Sequence, residues 1–497
     1  MAMKASEIAF VRRDDAPLLP APKSITGIRG WMAKNLFSSP FHSVLTVIFG
    51  AFALWLIWDM FDWLVLRASW TGVDRTACNQ PNAGQCWPLI AAKFPQWIYG
   101  FFPIDERWRV NLCFLLGVIG LVPMMIPSVP HKFWNAIFLL VAYPLIALIL
   151  LSGGHFGIEL GTYLRVAVLL LLTAVALPLA SFGAQDGISR NRVALILTGL
   201  AVIVWLAGFF FTSPALTIAG LPVAVLPLLV GLLIGAAGVF SIVVSLAGGS
   251  RAGLINWAIA SAGLMAAMLL LDVDFGLVPV ETDQWGGLTV TLVIAVTGIV
   301  VSLPIGILLA LGRRSEMPVV RMFSVVFIEV WRGVPLITVL FMSSVMLPLF
   351  LPPGISFDKL LRVLIVTIIF ISAYMAEAIR GGLQAIPRGQ YEGAMALGLS
   401  YWQVMSKIIL PQALKISVPN IVSNFIGLFR DTTLVSVVGL FDLLGIVRIG
   451  LKEALWTSPS TTPTGYLTVA LMFWVFCFAM SRYSMFIEGR LNTGHKR

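Results

Sequence analysis

Charge is what this sequence has least of. Only 11% of its 497 residues are Asp, Glu, Lys or Arg, against roughly 25% in a soluble globular domain. So little charge cannot cover a water-soluble surface of this size, which excludes a soluble enzyme or binding domain. Histidine and cysteine are also scarce, at four each. His42, His131, His155 and His495 are scattered, and Cys78, Cys86, Cys113 and Cys477 form no Cys-x-x-Cys pair, so no metal site is read. There is no Gly-x-x-x-x-Gly-Lys-Ser/Thr phosphate loop, and no polar stretch long enough for an ATPase domain. The apolar stretches hold no paired acids with a histidine and no serine nucleophile with a base, which speaks against a membrane-embedded enzyme.

What is abundant is apolar: 59% of residues are hydrophobic and the mean hydropathy is +0.95. A hydrocarbon core of ~30 Å takes about 20 apolar residues per helix. Twelve spans are predicted, at 43–66, 110–129, 133–152, 162–182, 193–212, 220–246, 253–271, 288–311, 322–349, 360–379, 408–429 and 466–486. The fold class expected is an all-α polytopic membrane protein. The net charge of +10 is then read as bases collected in cytoplasmic loops, not as a nucleic-acid surface. Residues 1–42 are polar and basic and lack the short apolar core of a signal peptide, so they read as a cytoplasmic tail. With that tail inside, alternate loops carry Lys132, Arg190, Arg192, Arg251, Arg313, Arg314, Arg321, Arg380, Arg388 and Lys407. The opposite loops at 153–161, 213–219 and 272–286 contain no Lys or Arg, as the positive-inside rule predicts; the exceptions are 67–109, 350–362 and 446–465, where the bases are few and accompanied by acids. Both termini are expected in the cytoplasm.

The 67–109 loop is the largest outer segment. Its aromatics, Trp70, Trp87, Trp97, Tyr99 and Trp108 among them, suit an interfacial re-entrant or amphipathic helix. Cys78 and Cys86 lie in it with seven residues between them; in a periplasmic loop they can form a disulfide closing a small hairpin, the alternative being two free thiols. "LLSGGHFGIEL" (150–160) and "LLLDVDFGLVP" (269–279) both end an apolar run with Phe-Gly-aliphatic. The four spans between them read as an inserted block, because an even number of helices leaves the orientation downstream unchanged. The expected domains are a tail at 1–42, a three-helix region at 43–159, the inserted block at 160–281 and a core at 282–490.

One segment between two spans is neither a span nor an ordinary loop: "YEGAMALGLSYWQVMSKIILP" (391–411). Pro387 and Gly389 mark a turn after Arg380, Gly381 and Gly382 end the preceding helix. Glu392 is expected in the first turn of a short helix, where an acid suits the dipole. Gly398 would end that helix and Ser400 would cap the next. The faces carry Tyr391, Ala394, Met395, Leu397 and Leu399, too many apolar groups to stay wet, so they meet either a partner or the chain's own helices.

Glu392-Gly393-Ala394, Gly398 and Ile408-Ile409-Leu410-Pro411 resemble the EAA loop of ABC-importer permeases, with Gly393 where that family usually has alanine. "AYMAEAIRGGLQAIPRGQYEGA", "LPQALKISVPN", "FRDTTLVSVVGL", "WGGLTVTL" and "IEVWRGVPLITVLF" extend the likeness over about 282–490 to the polar amino-acid uptake (histidine permease) family. "DERWRV" and "FGLVPVETDQWGG" are similar to the M subunit of general L-amino-acid ABC permeases. The resemblance implies a C-terminal five-helix type I core that lines the substrate path, together with a second permease subunit, most simply a paralogue. It implies that the EAA loop docks as a coupling helix on a dimeric ATPase subunit, through Gly389, Glu392, Ala394, Gly398, Leu410 and Pro411. It also implies a periplasmic amino-acid-binding protein. ATP and magnesium would belong to the ATPase, with no cofactor on this chain and no nucleic acid involved.

Two Glu-x-x-Arg-Gly stretches, Glu329/Arg332 and Glu377/Arg380, can pair at i,i+3. Ionisable groups inside spans are costly and face a cavity or a partner. Glu329 and Arg332, followed by the helix-kinking Pro335, read as a path or gate, and Glu377/Arg380 as that or a local clasp. Arg430-Asp431, at the outer end of its span, is an interface anchor or a contact for an entering zwitterion. Asn420, Ser423 and Asn424 lie on the same helix. The rival reading is an ion-gradient-driven secondary transporter, but no repeat relates the two halves of the chain.

Overall fold

The structure is a computed structural model, and it describes residues 27–154, 156, 217–218, 221–222, 261–264, 266–350 and 358–491. Among these the only strands are Thr217–Ile218 and Leu221–Pro222, paired antiparallel where the 220–246 span was expected to begin. Everything else regular is helical. Among the described residues seven helices are long and apolar enough to cross a membrane, and an eighth is a broken pair. They match the eight spans expected outside 162–271. The spans at 162–182, 193–212 and 220–246, and most of 253–271, lie outside the described residues.

The chain divides into two units, Met1–Ala91 with Ala454–Thr464 and Ala92–Glu453 with Gly465–Arg497. In the first, α1 (Gly27–Asn35) precedes α2 (Pro40–Leu66). Ser39 Oγ accepts the His42 N–H at 3.2 Å and Pro40 opens the first turn, a favourable start. No residue of Pro40–Phe61 is buried; a helix apolar on every side belongs in lipid. Beyond it Cys78 and Cys86 are disulfide-bonded, with Cα atoms 5.6 Å apart. The hairpin they close is held by hydroxyls of the 454–464 segment. Thr464 Oγ1 accepts the Cys86 N–H at 3.0 Å, and Ser460 Oγ donates to Cys78 O at 2.5 Å. A disulfide across so short a loop is worth about 2–3 kcal/mol in chain entropy. Reduction, or Cys78→Ser with Cys86→Ser, is therefore expected to expose residues 70–87 to proteases; equal cleavage rates with and without reductant would count against this.

The second unit contains the end of α3 (Trp87–Tyr99), which lies on the start of the core: Thr289 Oγ1 donates to Ile98 O at 2.9 Å. The helical hairpin α4 (Ile104–Met125) and α5 (Lys132–Ser152) follows. Arg109 of α4 is fully buried, paired with Glu106 at 3.0 Å and donating to Val278 O at 3.0 Å. Val280 N in turn donates to Ser152 O at 2.9 Å. After α6 (Ser261–Asp272) comes the five-span core. Its spans are α7 (Gly287–Arg313), the pair α8 (Pro318–Gly333) and α9 (Leu336–Leu349), α10 (Lys359–Gln384), α12 (Tyr401–Val438) and α14 (Thr461–Leu491). Between spans lie α11 (Arg388–Ala396) and α13 (Leu443–Leu451). Asp442 caps α13 through the N–H groups of Leu444 and Gly445, and burial raises its carboxyl above the usual carboxylate range.

The centre of the core is α10, packed on α7, α8 and α12. Lipid tails are as apolar as leucine, so helix association there rests on close packing and not on burial from water. Ile294, Ile328, Met375, Ile379, Ile409 and Leu428 form the tightly enclosed interior.

Two helix ends differ from expectation. Gly381 and Gly382 do not stop α10, which runs on to Gln384. At Gly382 a Cβ would strike Ser417 Oγ and Ala413 O, so this glycine serves helix approach, not termination. At the predicted kink, α8 does not bend but breaks. Val334 (φ −109°, ψ 137°) and Pro335 (φ −63°, ψ 139°) are both extended, as a proline and the residue before it prefer. The axis turns by 100°.

Candidate functional site

The 388–411 segment sits at the end of the core where α7 finishes and α8 begins. Pro387 precedes the first turn of α11 with φ −58°. Because the helix starts there, Glu392 is its fifth residue and not, as expected, in its first turn. Gly398 takes the left-handed conformation (φ +73°), its N–H bonded to Met395 O at 2.9 Å, as a residue just past a helix end does. Ser400 and Gln403 form a capping box, with the Ser400 N–H donating to Gln403 Oε1 at 2.9 Å. A π-turn at Met405–Ile409 then feeds Leu410 and Pro411 into the span.

Period 3.6 gives α11 two faces. Ala394 is buried and Tyr391 half-buried on the core side, above buried Val404, Met405 and Ile409. Glu392 lies away from that side and is exposed, as are Met395, Leu397 at 78%, Tyr401 and Trp402. Glu392 has no ion pair among the described residues. The expected apolar segment therefore does both things at once: one face packs on the chain's own helices, the other is left open. Arg314, just past α7, fastens the inner face. It donates to Tyr391 Oη at 2.8 Å and to Leu383 O at 3.4 Å, with its guanidinium 5.3 Å from the Tyr391 ring centre.

Beside it lies a charge cluster drawn from three helices. Glu377 and Arg380 form the expected i,i+3 pair. Glu329 and Arg332 do not. Glu329 bonds Arg313 of α7 at 3.0 Å, while Arg332 stands 3.8 Å from Glu377, which also faces Arg313 at 3.7 Å. The end of α7 reaches Glu329 first, and Arg332 turns over the Tyr374 ring, 5.7 Å from its centre. Glu329 is more than half exposed, so it is not the costly buried acid its sequence position suggested.

A cavity of about 520 Å³ opens at the break between α8 and α9. Its polar lining is Arg332, Tyr374, Ser423, Asn424 and Asp431, and Pro335 contributes to its wall. Asn424 and Tyr374 are further linked by Asn424 Nδ2 donating to Tyr374 O at 3.5 Å. The structure thus brings together Arg332, Pro335, Asn424 and Asp431 from the sequence-derived set, with Glu377 and Arg380 behind them. It does not bring in Asn420 and Arg430, which are exposed outside the lining, and no ion pair joins Arg430 to Asp431 among the described residues. Sequence reasoning missed Tyr374 and Arg314. Tyr374 lies one turn before Glu377, which is a usable signal; Arg314 looked only like a topological base.

Residues 302–493 match the family described as binding-protein-dependent transport system inner membrane component. An inner membrane amino-acid ABC transporter permease protein of Escherichia coli is 38% identical over 482 residues, covering 96% of this chain and 97% of that protein. The glutamate/glutamine/aspartate/asparagine transport system permease protein of Rhodobacter capsulatus is 41% identical over 502 residues, covering 99% and 100%. A probable glutamine ABC transporter permease protein of Bacillus subtilis is 37% identical over 165 residues, 33% of this chain and 74% of that one. The helical core and these matches define a multi-pass membrane permease of binding-protein-dependent transport, a transport subunit and not a gradient-driven carrier. The chain belongs to the amino-acid ABC transporter permeases.

Proposed function

We propose that this chain forms, with a second and paralogous permease subunit, the path by which an L-amino acid delivered by a periplasmic binding protein crosses the membrane. The exposed side of α11 and the residue just past its end, with Glu392, Met395 and Leu397, dock on a separate ATPase dimer, which binds ATP and magnesium. Gly389, Ala394, Gly398, Leu410 and Pro411 shape that docking element and its junction with the span. Both termini and the 388–411 segment lie on the cytoplasmic side, in keeping with the bases around them. The tail at 1–42, the three-helix region at 43–159 and the block at 160–281 are accessory to the 282–490 core.

The observation that carries this reading is the exposed acid-and-apolar surface of α11 and the turn at Gly398. An open apolar patch of this kind on a transport subunit marks a protein contact. In the cavity, Arg332 suits a carboxylate and Asp431 an ammonium, the two ends of a zwitterion. Tyr374, Ser423 and Asn424 supply neutral hydrogen-bonding groups.

Glu392→Lys tests the docking. The variant should reach the membrane in normal amount, because Glu392 is exposed and its carboxylate has no ion pair among the described residues, yet ATP-driven uptake should fall by about tenfold or more, as losing a charged interface anchor does. Uptake equal to wild type at equal membrane abundance would remove the coupling role.

A further inference from the structure

Arg313 and Arg314 are consecutive, yet they serve different structures. Arg314 holds Tyr391, on the inner face of α11. Arg313 holds Glu329 on α8 and faces Glu377 on α10. Glu377 stands 3.8 Å from Arg332, which lines the cavity. Glu392 is the neighbour of Tyr391 but lies on the other face of the same nine-residue helix. A force on the exposed face is therefore delivered by a rigid element to Arg314, one peptide away from the cluster that frames the cavity.

We propose that Arg314 is a positioning residue of transport, the point at which displacement of α11 enters the core. The inference rests on the docking reading above and adds the route beyond it. The contact chain runs Tyr391, Arg314, Arg313, Glu377, Arg332, with each link a hydrogen bond, a peptide or an ion pair. Every member but Tyr391 sits on a core helix or its end, and α7, α8 and α10 meet at the cluster. When α11 shifts, Arg314 moves with Tyr391 and with Leu383 O at the end of α10, so α7 and α10 are displaced together. Arg332 then changes its place in the cavity wall, because its acid is carried on α10. Contiguity alone does not establish coupling; the ratio of ATP hydrolysed to amino acid carried does.

The test uses the complete importer, purified through this chain and reconstituted in liposomes with its binding protein and ATP. Arg314→Ala should keep ATP hydrolysis within about twofold while transport falls about tenfold, so that the ATP used per amino acid rises by that factor, within the range usual for coupled sites. Tyr391→Phe, which removes one hydroxyl and leaves the ring, should shift the same ratio by a smaller factor. The double variant should be no worse than Arg314→Ala alone. Arg314→Lys, which keeps the charge and one bond to Tyr391, should recover part of the ratio. Two results overturn the proposal: wild-type stoichiometry in both single variants, or hydrolysis and transport falling together at an unchanged ratio, which is the mark of a merely structural residue. Glu392→Lys measured alongside separates the two claims. If it uncouples and Arg314→Ala does not, the relay is wrong and the docking stands; if neither uncouples, both are wrong.

Discussion

Gly382→Ala is expected to disrupt the middle of the core, and Gly381→Ala to do almost nothing. The two glycines are adjacent in sequence and in the same helix. At Gly382 an added methyl would collide with Ser417 Oγ and Ala413 O and lie 3.2 Å from Ala413 C. The hydroxyl can rotate away, but the carbonyl belongs to a helical backbone and cannot. α10 and α12 must therefore separate, and that contact is one of those that hold α10 at the centre of the core. Overpacking of this kind costs about 1–3 kcal/mol and occasionally more; with backbone as the obstacle, the upper end applies. At Gly381 the same methyl meets nothing within 4 Å, and alanine should even favour the helix slightly. Thermal unfolding of the two variants in detergent, followed by tryptophan fluorescence, checks this directly. Equal melting temperatures would show that the α10–α12 approach is not as tight as the structure has it.

Glu377→Ala is expected to be the most damaging change to a polar group. Glu377 faces Arg313 at 3.7 Å and Arg332 at 3.8 Å and is bonded to Arg380. Removing it leaves three guanidinium groups from three helices with Glu329 as the remaining nearby acid, and Glu329 is already taken by Arg313. Breaking a buried pair costs about 3–5 kcal/mol; Glu377 is partly exposed, so about 2 kcal/mol is the better figure. Uptake should fall further than this loss of stability explains, because Arg332 loses the acid that fixes it in the cavity wall. Glu377→Asp keeps the charge and should retain part of the melting temperature. A melting curve unchanged in Glu377→Ala would mean that the three arginines are satisfied elsewhere.

The spans were legible because hydropathy is a one-dimensional property and the bilayer supplies the length. The 388–411 segment was legible for a similar reason: Gly398 and Ser400 are local signals, and the Glu-x-Ala spacing is short. Which apolar residues of α11 would be covered was not legible, since Tyr391 and Met395 look equally apolar until Arg314 arrives at Tyr391 from 77 residues away. The same limit explains Glu329. Only the i,i+3 partner Arg332 can be read from a helix in isolation, whereas the actual partner, Arg313, comes from α7. Pro335 announced a disturbance, but its size of 100° depends on Val334 also being extended. Gly381 and Gly382 looked like one stop signal because both are glycine; only the packing separates them.

The bond from Val280 N to Ser152 O has a consequence for how the chain enters the core. It clamps together the end of α5 and the approach to α7, with Arg109 on Val278 O beside it. The two flanks of a sequence stretch more than a hundred residues long thus meet as closely as the two sides of a hairpin, and they are held there by contacts of their own. The clamp makes this junction a seam, at which the approach to the core is held by contacts of the two flanks themselves.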